Sequence, residues 1–311
     1  MQLSFLLFKQ IISMALMVLM GFSIVKSGAV KSEDSKVLSA LCINWIMPCC
    51  VINAFLTEYE PEKLQGLLLA AAAAAVIQAM YILVVRLIGD KTGMSVVERM
   101  SSIYSNAGNL IIPLVSALLG DEAVIYCSSF MAVQTFLVWS HCYIKMTGGK
   151  VSAKKFFNRN IVATFIGFII FAARIKLPSM AETVISSVGG TIGPVCMIMT
   201  GMIMGGVNVK KALTTKRYYR VCLLRLVVLP VLAVLLMAAS GVTRKLPYAG
   251  EVLLITTLAA GSPVASVIVQ MSDMFMDRDA AADASCVNIM TIIFSMATMP
   301  LLVLLYQGIC L

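Results

Sequence analysis

Ten long apolar runs, joined by short polar connections, limit what this chain can fold into more than any other feature. A helix that crosses a bilayer needs about 20 predominantly apolar residues. None of the runs shows the alternation of a membrane β-strand, and an open sheet edge cannot face lipid. We therefore predict an all-α integral membrane protein with about ten transmembrane helices. The runs lie at about 5–27, 35–57, 64–89, 96–119, 122–146, 159–176, 181–207, 218–240, 248–271 and 280–306.

The composition excludes a large soluble domain. Of the 311 residues, 60% are hydrophobic and 13% are charged, whereas soluble domains carry about 25% charged residues. The net charge of +9 would suggest a nucleic-acid partner in a soluble protein. Here the basic residues lie in short connections between apolar runs. We therefore expect the protein to lie in a lipid bilayer and to bind no nucleic acid. Phe5 to Val25 has no small-residue cleavage site and is predicted to be the first helix, not a removed signal peptide.

The sequence lacks the motifs of catalysis, nucleotide binding and metal binding. It has no Walker A motif, no HExxH and no triad order. The nine cysteines lie almost entirely within apolar runs and form no CxxC pair, and His141 is the only histidine. We therefore expect no metal site, no disulfide framework, no cofactor and no enzymatic activity.

The lysines and arginines predict the orientation in the membrane. When connections are assigned to alternate sides, one side collects 18 of the 24 basic residues, Arg159 and Arg225 among them. The other side collects six, including the dissenting Lys9, and holds the acidic stretches Glu58–Glu62 and Asp121–Glu122. The positive-inside rule places the first side in the cytoplasm. This predicts a multi-pass plasma-membrane protein with both termini outside the cytoplasm.

Two halves of five helices each are predicted, 1–150 and 151–311, because the largest basic connection lies near the middle. An odd number of helices gives the second half the opposite topology. Pro48 and Pro113 are 65 residues apart in the first half, and Pro194 and Pro263 are 69 apart in the second. Prolines at matching depth favour an inverted repeat, although prolines are also generally frequent in membrane helices.

A polar cluster interrupts the fourth apolar run. Asn106, Gly108, Asn109 and Pro113 lie where hydrocarbon penalises every unpaired polar group by several kcal/mol. We predict that Pro113 breaks the helix, that the amides line a substrate site, and that a half-helix N-terminus attracts an anion. The alternative is a kink in which the asparagines bond neighbouring helices.

Gly261, Ser262 and Pro263 in the ninth run are the predicted partners of this cluster. The small residues around them allow another backbone to approach closely. The alternative is ordinary packing of small residues between helices.

Four further residues are candidates for binding a coupling ion. Asp283 in the last run is an intramembrane carboxylate that could bind a cation or proton, neutralise Arg278, or be solvated at a helix end. Asn288 in the same run and Gln134 in the fifth are polar lining candidates. His141 could relay a proton, or lie at the membrane interface.

At these residues the chain resembles the auxin efflux carrier family, which is related in fold to the bile acid:sodium symporters. The most specific part is the Asn-x-Gly-x-x-x-x-Pro pattern at Asn106, Gly108 and Pro113. The resemblance covers the whole chain. It implies an inverted five-plus-five repeat in which the fourth and ninth helices break at prolines, cross, and bind substrate beside the crossing.

The resemblance also implies how the ten spans divide. Spans 1, 2, 6 and 7 would form a scaffold, and spans 3–5 and 8–10 a moving transport domain. Substrate binding would fall on Asn106, Asn109, Pro113, Ser262 and Pro263. Plant members of the family export auxin, and bacterial members are linked to malate and malonate. This chain lacks the long central loop of the longer plant members, so auxin itself is not expected.

The function predicted from the sequence is secondary active transport of a small organic anion by alternating access, with possible H⁺ or Na⁺ coupling. One alternative is a passive channel on the same fold. A membrane sensor is a second alternative, but the chain has no soluble output domain. The oligomeric state stays open, a homodimer included.

Overall fold

The computed structural model describes residues 2–149, 159–206 and 209–311, which are helical apart from short connections. The predicted all-α fold is confirmed. The helices, numbered in chain order, are α1 (Gln2–Lys26), α2 (Ser32–Phe55), α3 (Pro61–Thr92), α4 (Val96–Ile103), α5 (Ala107–Leu119), α6 (Asp121–Thr147), α7 (Arg159–Ala172), α8 (Ser179–Gly189), α9 (Ile192–Gly206), α10 (Val209–Thr214), α11 (Lys216–Ser240), α12 (Val242–Lys245), α13 (Ala249–Gly261), α14 (Ser266–Phe275) and α15 (Arg278–Cys310).

Six helical segments among the described residues are long and apolar enough to cross a bilayer. They are α2, α3, α6, the consecutive α8 and α9, α11 and α15. Shorter apolar helices occur in α1, α5, α7 and α13. Length and composition thus support an integral membrane protein whose remaining apolar helices are short or interrupted.

Local capping signals fix the connection between α3 and α4. Gly93 ends α3 with a φ of 62°, a left-handed conformation that glycine adopts without strain. The Ser95 hydroxyl accepts a hydrogen bond from the Glu98 backbone N–H, and the Glu98 carboxylate accepts one from the Ser95 N–H. This capping box starts α4 at Val96. The short α4 is thereby anchored at one end, and its other end reaches the centre of the bundle.

Three prolines follow wide π-helical turns and do not break their helices. Proline lacks an N–H, and its ring collides with the carbonyl four residues back, which a wider turn relieves. The prediction that Pro113 breaks the fourth helix is therefore wrong, because α5 continues through it. The turns are Cys42–Ile46 before Pro48, Ala107–Ile111 before Pro113 and Leu224–Val228 before Pro230.

The prolines that were matched between the two halves occupy different local structures. Pro194 lies in the first turn of α9, after a turn at Gly190 and Thr191. Pro263 lies in an extended segment between α13 and α14. Pro113 and Pro263 are therefore not structural counterparts, because only Pro263 lies where a helix is interrupted.

The helices pack in two groups. In the first group α1 runs along α9, and α2 packs against α7 and α8. In the second, α3 packs against α6 and α13, while α11 and α14 pack against α15. The groups meet where α1 contacts α5 and α15, and where α2 contacts α6.

Two glycines allow α1 and α9 to touch backbone to backbone. A Cβ at Gly21 would lie 1.9 Å from the Ile198 carbonyl oxygen, and one at Gly201 would lie 1.9 Å from the Val18 carbonyl oxygen. In lipid, helix association depends on such close packing because there is no hydrophobic driving force between helices. Any side chain at Gly21 or Gly201 would therefore increase the distance between α1 and α9.

Gly201→Ala is expected to separate α1 from α9 and to destabilise the protein by about 1–3 kcal/mol, the usual range for overpacking. The measurement is thermal unfolding of the purified protein in detergent. The control is Gly308→Ala, because a Cβ at Gly308 meets nothing within 4 Å. The control should be neutral or slightly stabilising, since alanine favours helix more than glycine does. Equal melting of the two variants would contradict the close contact.

Candidate functional site

Two interrupted helices meet at the centre of the bundle. The chain is extended between α4 and α5 and again between α13 and α14. The two extended segments form an antiparallel bridge that pairs Ser105 with Val264. Its two hydrogen bonds run from Asn106 N to Pro263 O at 2.8 Å and from Ala265 N to Tyr104 O at 3.0 Å.

The outer edge of the first segment is closed by one glutamine side chain. Gln134 Oε1 accepts hydrogen bonds from the Ser105 backbone N at 3.0 Å and from its hydroxyl at 2.6 Å. Gln134 Nε2 donates to the Ser105 carbonyl at 2.8 Å. Gln78 Nε2 donates a further bond to Gln134 Oε1 at 3.0 Å. The Gln134 amide thus makes the hydrogen bonds to the Ser105 backbone that a further strand would make in a β-sheet.

The outer edge of the second segment is closed in the same way from α15. The Val264 N–H donates to Thr291 Oγ1 at 3.1 Å, and the Val264 carbonyl accepts from Asn288 Nδ2 at 2.8 Å. Backbone groups that no helix can satisfy are therefore paired on both edges, as an apolar interior requires. Gln134 and Asn288, two of the predicted ion-binding candidates, support the backbone here.

A single buried arginine joins the C-terminal ends of α4 and α13. The Arg225 side chain is fully buried. It donates to the carbonyls of Ser102 at 3.3 Å and Ile103 at 3.0 Å, and to those of Ala260 at 2.5 Å and Ser262 at 2.8 Å. The C-terminal ends of helices carry partial negative charge, so these carbonyls stabilise the guanidinium.

Sequence reasoning missed the role of Arg225, which was counted among the basic residues of a cytoplasmic connection. That assignment is wrong, because α11 carries the residue into the protein interior. The signal was its position inside the apolar run 218–240, since an ionisable residue in a membrane span is a functional candidate.

A cavity of about 430 Å³ lies beside the crossing. The first turns of α5 and α14 line it, so the free N–H groups and the positive dipole ends of both helices lie at one cavity. Asn106 Nδ2 links the two turns by donating to Ser266 Oγ at 3.4 Å. The polar residues that line the cavity include Asn44, Asn106, Asn109, Thr135, Arg159 and Ser266.

Three of the predicted binding residues line this cavity. Asn106 and Asn109 present amides to the cavity. Gly108 packs closely against Met47, because a Cβ at Gly108 would lie 2.9 Å from Met47 Cε. Asn109 Oδ1 also accepts a weak hydrogen bond from the Cys196 thiol at 3.8 Å. Arg159 and Ser266 were not among the predicted site residues; Arg159 had been assigned to a loop.

The other predicted binding residues lie elsewhere. Pro113 lines a separate cavity of about 250 Å³, further along α5. Gly261, Ser262 and Pro263 line neither of these two cavities. Gly261 instead gives Leu302 and Pro230 room to pack, and Ser262 and Pro263 contribute backbone carbonyls to the crossing.

The remaining coupling candidates both have partners. Asp283 accepts hydrogen bonds from the Arg217 guanidinium and the Tyr218 hydroxyl. Its ion pair is with Arg217 and not with Arg278, the partner that one of the alternatives named. His141 Nδ1 lies 2.9 Å from the Tyr104 hydroxyl, in contact with the first interrupted segment.

The helical bundle and its apolar spans define a multi-pass membrane protein. Residues 6–153 and 147–305 match the family described as Membrane transport protein, the auxin efflux carrier-like family. The chain belongs to this family and is a membrane transport protein, as the sequence predicted. No curated protein matches the chain.

Arg225→Met should leave four carbonyls at the crossing without their donor. Each buried polar group that loses its partner costs about 1–3 kcal/mol, so a loss of roughly 4 kcal/mol or more is expected. Thermal unfolding in detergent measures it. Arg244→Met, at an exposed position on α12, is the matched control. The role assigned to Arg225 is contradicted if both variants melt at the wild-type temperature.

Gln134→Leu should destabilise the first interrupted segment by about 3 kcal/mol, because the Ser105 N–H, hydroxyl and carbonyl all lose a partner. Asn288→Leu should have a smaller effect, since Thr291 keeps its bond to the Val264 N–H. Thermal unfolding compares both with Gln65→Leu, which removes an exposed amide. An unchanged melting temperature for Gln134→Leu would rule out the edge-closing role.

Proposed function

We propose that the protein is a secondary active transporter of a small organic anion that works by alternating access. The observation that carries the proposal is the cavity at the crossing, where two helix N-termini, two asparagine amides and Arg159 line one space. Transport is the function of the family; the anion, the coupling and the mechanism are the proposal.

The chemistry of the cavity favours a carboxylate. The first N–H groups of a helix lack partners within the helix and attract anions. Asn106 and Asn109 add amide donors, Arg159 adds a full positive charge, and none of the described residues that line the cavity is acidic. A volume of about 430 Å³ suits a small ligand, since small-molecule sites begin near about 300 Å³. A short dicarboxylate such as malate or malonate, to which bacterial relatives are linked, fits these properties.

The positions of two cavities along α5 support alternating access. Asn109 lines the larger cavity, while Pro113 and Ser116 of the same helix line the smaller one. These positions are about one to two helical turns apart. We propose that a small shift of α5 against the first helix group closes one cavity and opens the other around a bound anion.

We propose that the halves 1–150 and 151–311 form an inverted repeat of five spans each. The fourth span would comprise α4 and α5, and the ninth α13 and α14. The packing of α3 on α6 has its counterpart in that of α11 on α15, and the pairing of α1 with α9 in that of α7 with α2. The outer edges of the two extended segments are also closed from corresponding spans, by Gln134 of α6 in the first half and by Asn288 and Thr291 of α15 in the second. The group of spans 1, 2, 6 and 7 would be the scaffold, and spans 3–5 and 8–10 the moving domain.

We further propose a plasma-membrane location with both termini outside the cytoplasm. The excess of basic residues on one side supports this orientation. Arg159 begins α7 on that side, so the larger cavity would open to the cytoplasm. A homodimer is the proposed oligomer, and the mass of the detergent-solubilised protein tests it.

For coupling we propose H⁺ or Na⁺, with His141 and Asp283 as the candidate residues. Gln134 and Asn288 are less suited to bind an ion in this conformation, because the backbone of the crossing already engages their amides. Uptake driven separately by a pH gradient and by a Na⁺ gradient distinguishes the two ions. His141→Gln should abolish only the uptake that is driven by the pH gradient.

Asn106→Ala and Asn109→Ala should each reduce uptake of a labelled dicarboxylate into proteoliposomes by about tenfold or more. A hydrogen bond to a charged group is worth about 1.5–3 kcal/mol, and 1.4 kcal/mol is tenfold in affinity. Gln65→Ala, which removes an amide outside the cavity, is the control and should transport normally. The proposal is abandoned if no carboxylate is transported by the wild-type protein, or if both asparagine variants transport as it does.

Counterflow separates a transporter from a channel. Vesicles loaded with unlabelled anion should transiently accumulate labelled anion above its external concentration, since a carrier exchanges one molecule for another. A channel shows no such overshoot, and its absence would favour the passive facilitator.

A further inference from the structure

A third cavity is separate from the two cavities that α5 lines. It has a volume of about 620 Å³ and opens where α3 ends, α4 begins and α6 ends. Its charged and titratable lining residues are Arg86 and Asp90 of α3, Arg99 of α4, and His141 and Lys145 of α6. None of these positions was assigned to substrate binding, and only His141 was considered for coupling.

The charges in this cavity are arranged to receive an anion. Arg99 is held in position, because it pairs with Asp90 and its Nε donates to the Met94 carbonyl at 3.0 Å. Arg86 and Lys145 form no ion pair with any residue that the structure describes. With three basic side chains and one acidic side chain, the wall carries two uncompensated positive charges.

The rest of the wall is apolar and borders the lipid-facing surface. Ile82 and Val85 of α3 lie on the inner wall, one turn or less before Arg86. On neighbouring faces of the same helices, Leu83 is 57% exposed, Leu87 56% and Ile144 42%. In a membrane protein such exposed apolar side chains face hydrocarbon. The cavity therefore offers cations at the membrane surface and an apolar wall that continues toward the hydrocarbon.

We propose that this cavity binds an anionic phospholipid. The phosphate group is held by Arg86, Lys145 and Arg99, and an acyl chain lies along the partly exposed Ile82. Basic pockets between membrane helices are suited to such headgroups. A soluble phosphate shares the headgroup chemistry, but it would leave the apolar part of the wall unused, so lipid is the occupant that fits the whole cavity. The inference rests on the membrane location and not on the proposed substrate.

The bound lipid would lie next to the interrupted helix. Ile103, the last residue of α4, lines the cavity, and His141 bonds the hydroxyl of Tyr104, the next residue in the chain. Occupation of the cavity should therefore stabilise the crossing.

The test is thermal unfolding of the full-length protein in neutral detergent with added phosphatidylglycerol, phosphatidylcholine or inorganic phosphate. Phosphatidylglycerol should raise the melting temperature, and the other two should not. Equal stabilisation by phosphatidylcholine would mean that acyl chains alone suffice, and stabilisation by inorganic phosphate would assign the site to a soluble anion. Either result overturns the proposal.

Variants locate the binding. The double variant Arg86→Gln with Lys145→Gln should need about thirtyfold more phosphatidylglycerol for the same shift, from two lost contacts. Lys91→Gln removes one exposed charge from the same end of α3 but lies outside the cavity lining, so it should respond as the wild type does. If the double variant does not fold, Lys145→Gln alone should show a shift of about fivefold. An unchanged lipid response in the cavity variants, or an equal loss in Lys91→Gln, would overturn the assignment.

Discussion

The structure depends on satisfying backbone groups at a place where two helices stop inside an apolar interior. Every interrupted helix end leaves carbonyls or N–H groups without helical partners, and lipid supplies none. Here the interruption of one helix is paired with that of another through the bridge of Ser105 and Val264. Arg225 then binds the carbonyl ends, and Gln134 and Asn288 bind the outer edges. With these donors in place, an otherwise costly break becomes a stable element.

The arrangement is polarised, which gives the centre of the protein its chemical character. Arg225 occupies the two C-terminal ends, α4 and α13, so their negative dipoles are already compensated. The two N-terminal ends, α5 and α14, face the cavity and keep their positive potential. A buried cation therefore supports the backbone on one side of the crossing, while the opposite side remains available for an anion. The same physical rule for helix ends explains the support and underlies the proposed site.

The fourth helix illustrates which parts of a site can be predicted from residue types. Two asparagines and a glycine in an apolar run correctly indicated a special segment, because polar groups in hydrocarbon need a partner. The location of the interruption was not predicted. Pro113 was expected to mark it, but a π turn accommodates that proline and the chain leaves the helical conformation at Tyr104, Ser105 and Asn106 instead. Proline forbids one hydrogen bond, and whether the helix widens or breaks depends on which neighbours can bond the freed backbone.

The sequence by itself determined the all-helical membrane architecture, because long apolar runs have only one stable backbone form in lipid when no barrel pattern is present. It also indicated the two stretches that meet at the centre, since their composition is unusual at membrane depth. Only the tertiary structure decided the roles of Arg225, Gln134 and Asn288, which lie up to 123 residues from the groups they bind. Such partners are chosen by packing between distant helices, and neither periodicity nor local propensity contains that information. For the same reason Pro263 and Ser262 proved to support the crossing through their carbonyls, while Arg159 and Ser266 came to line the cavity.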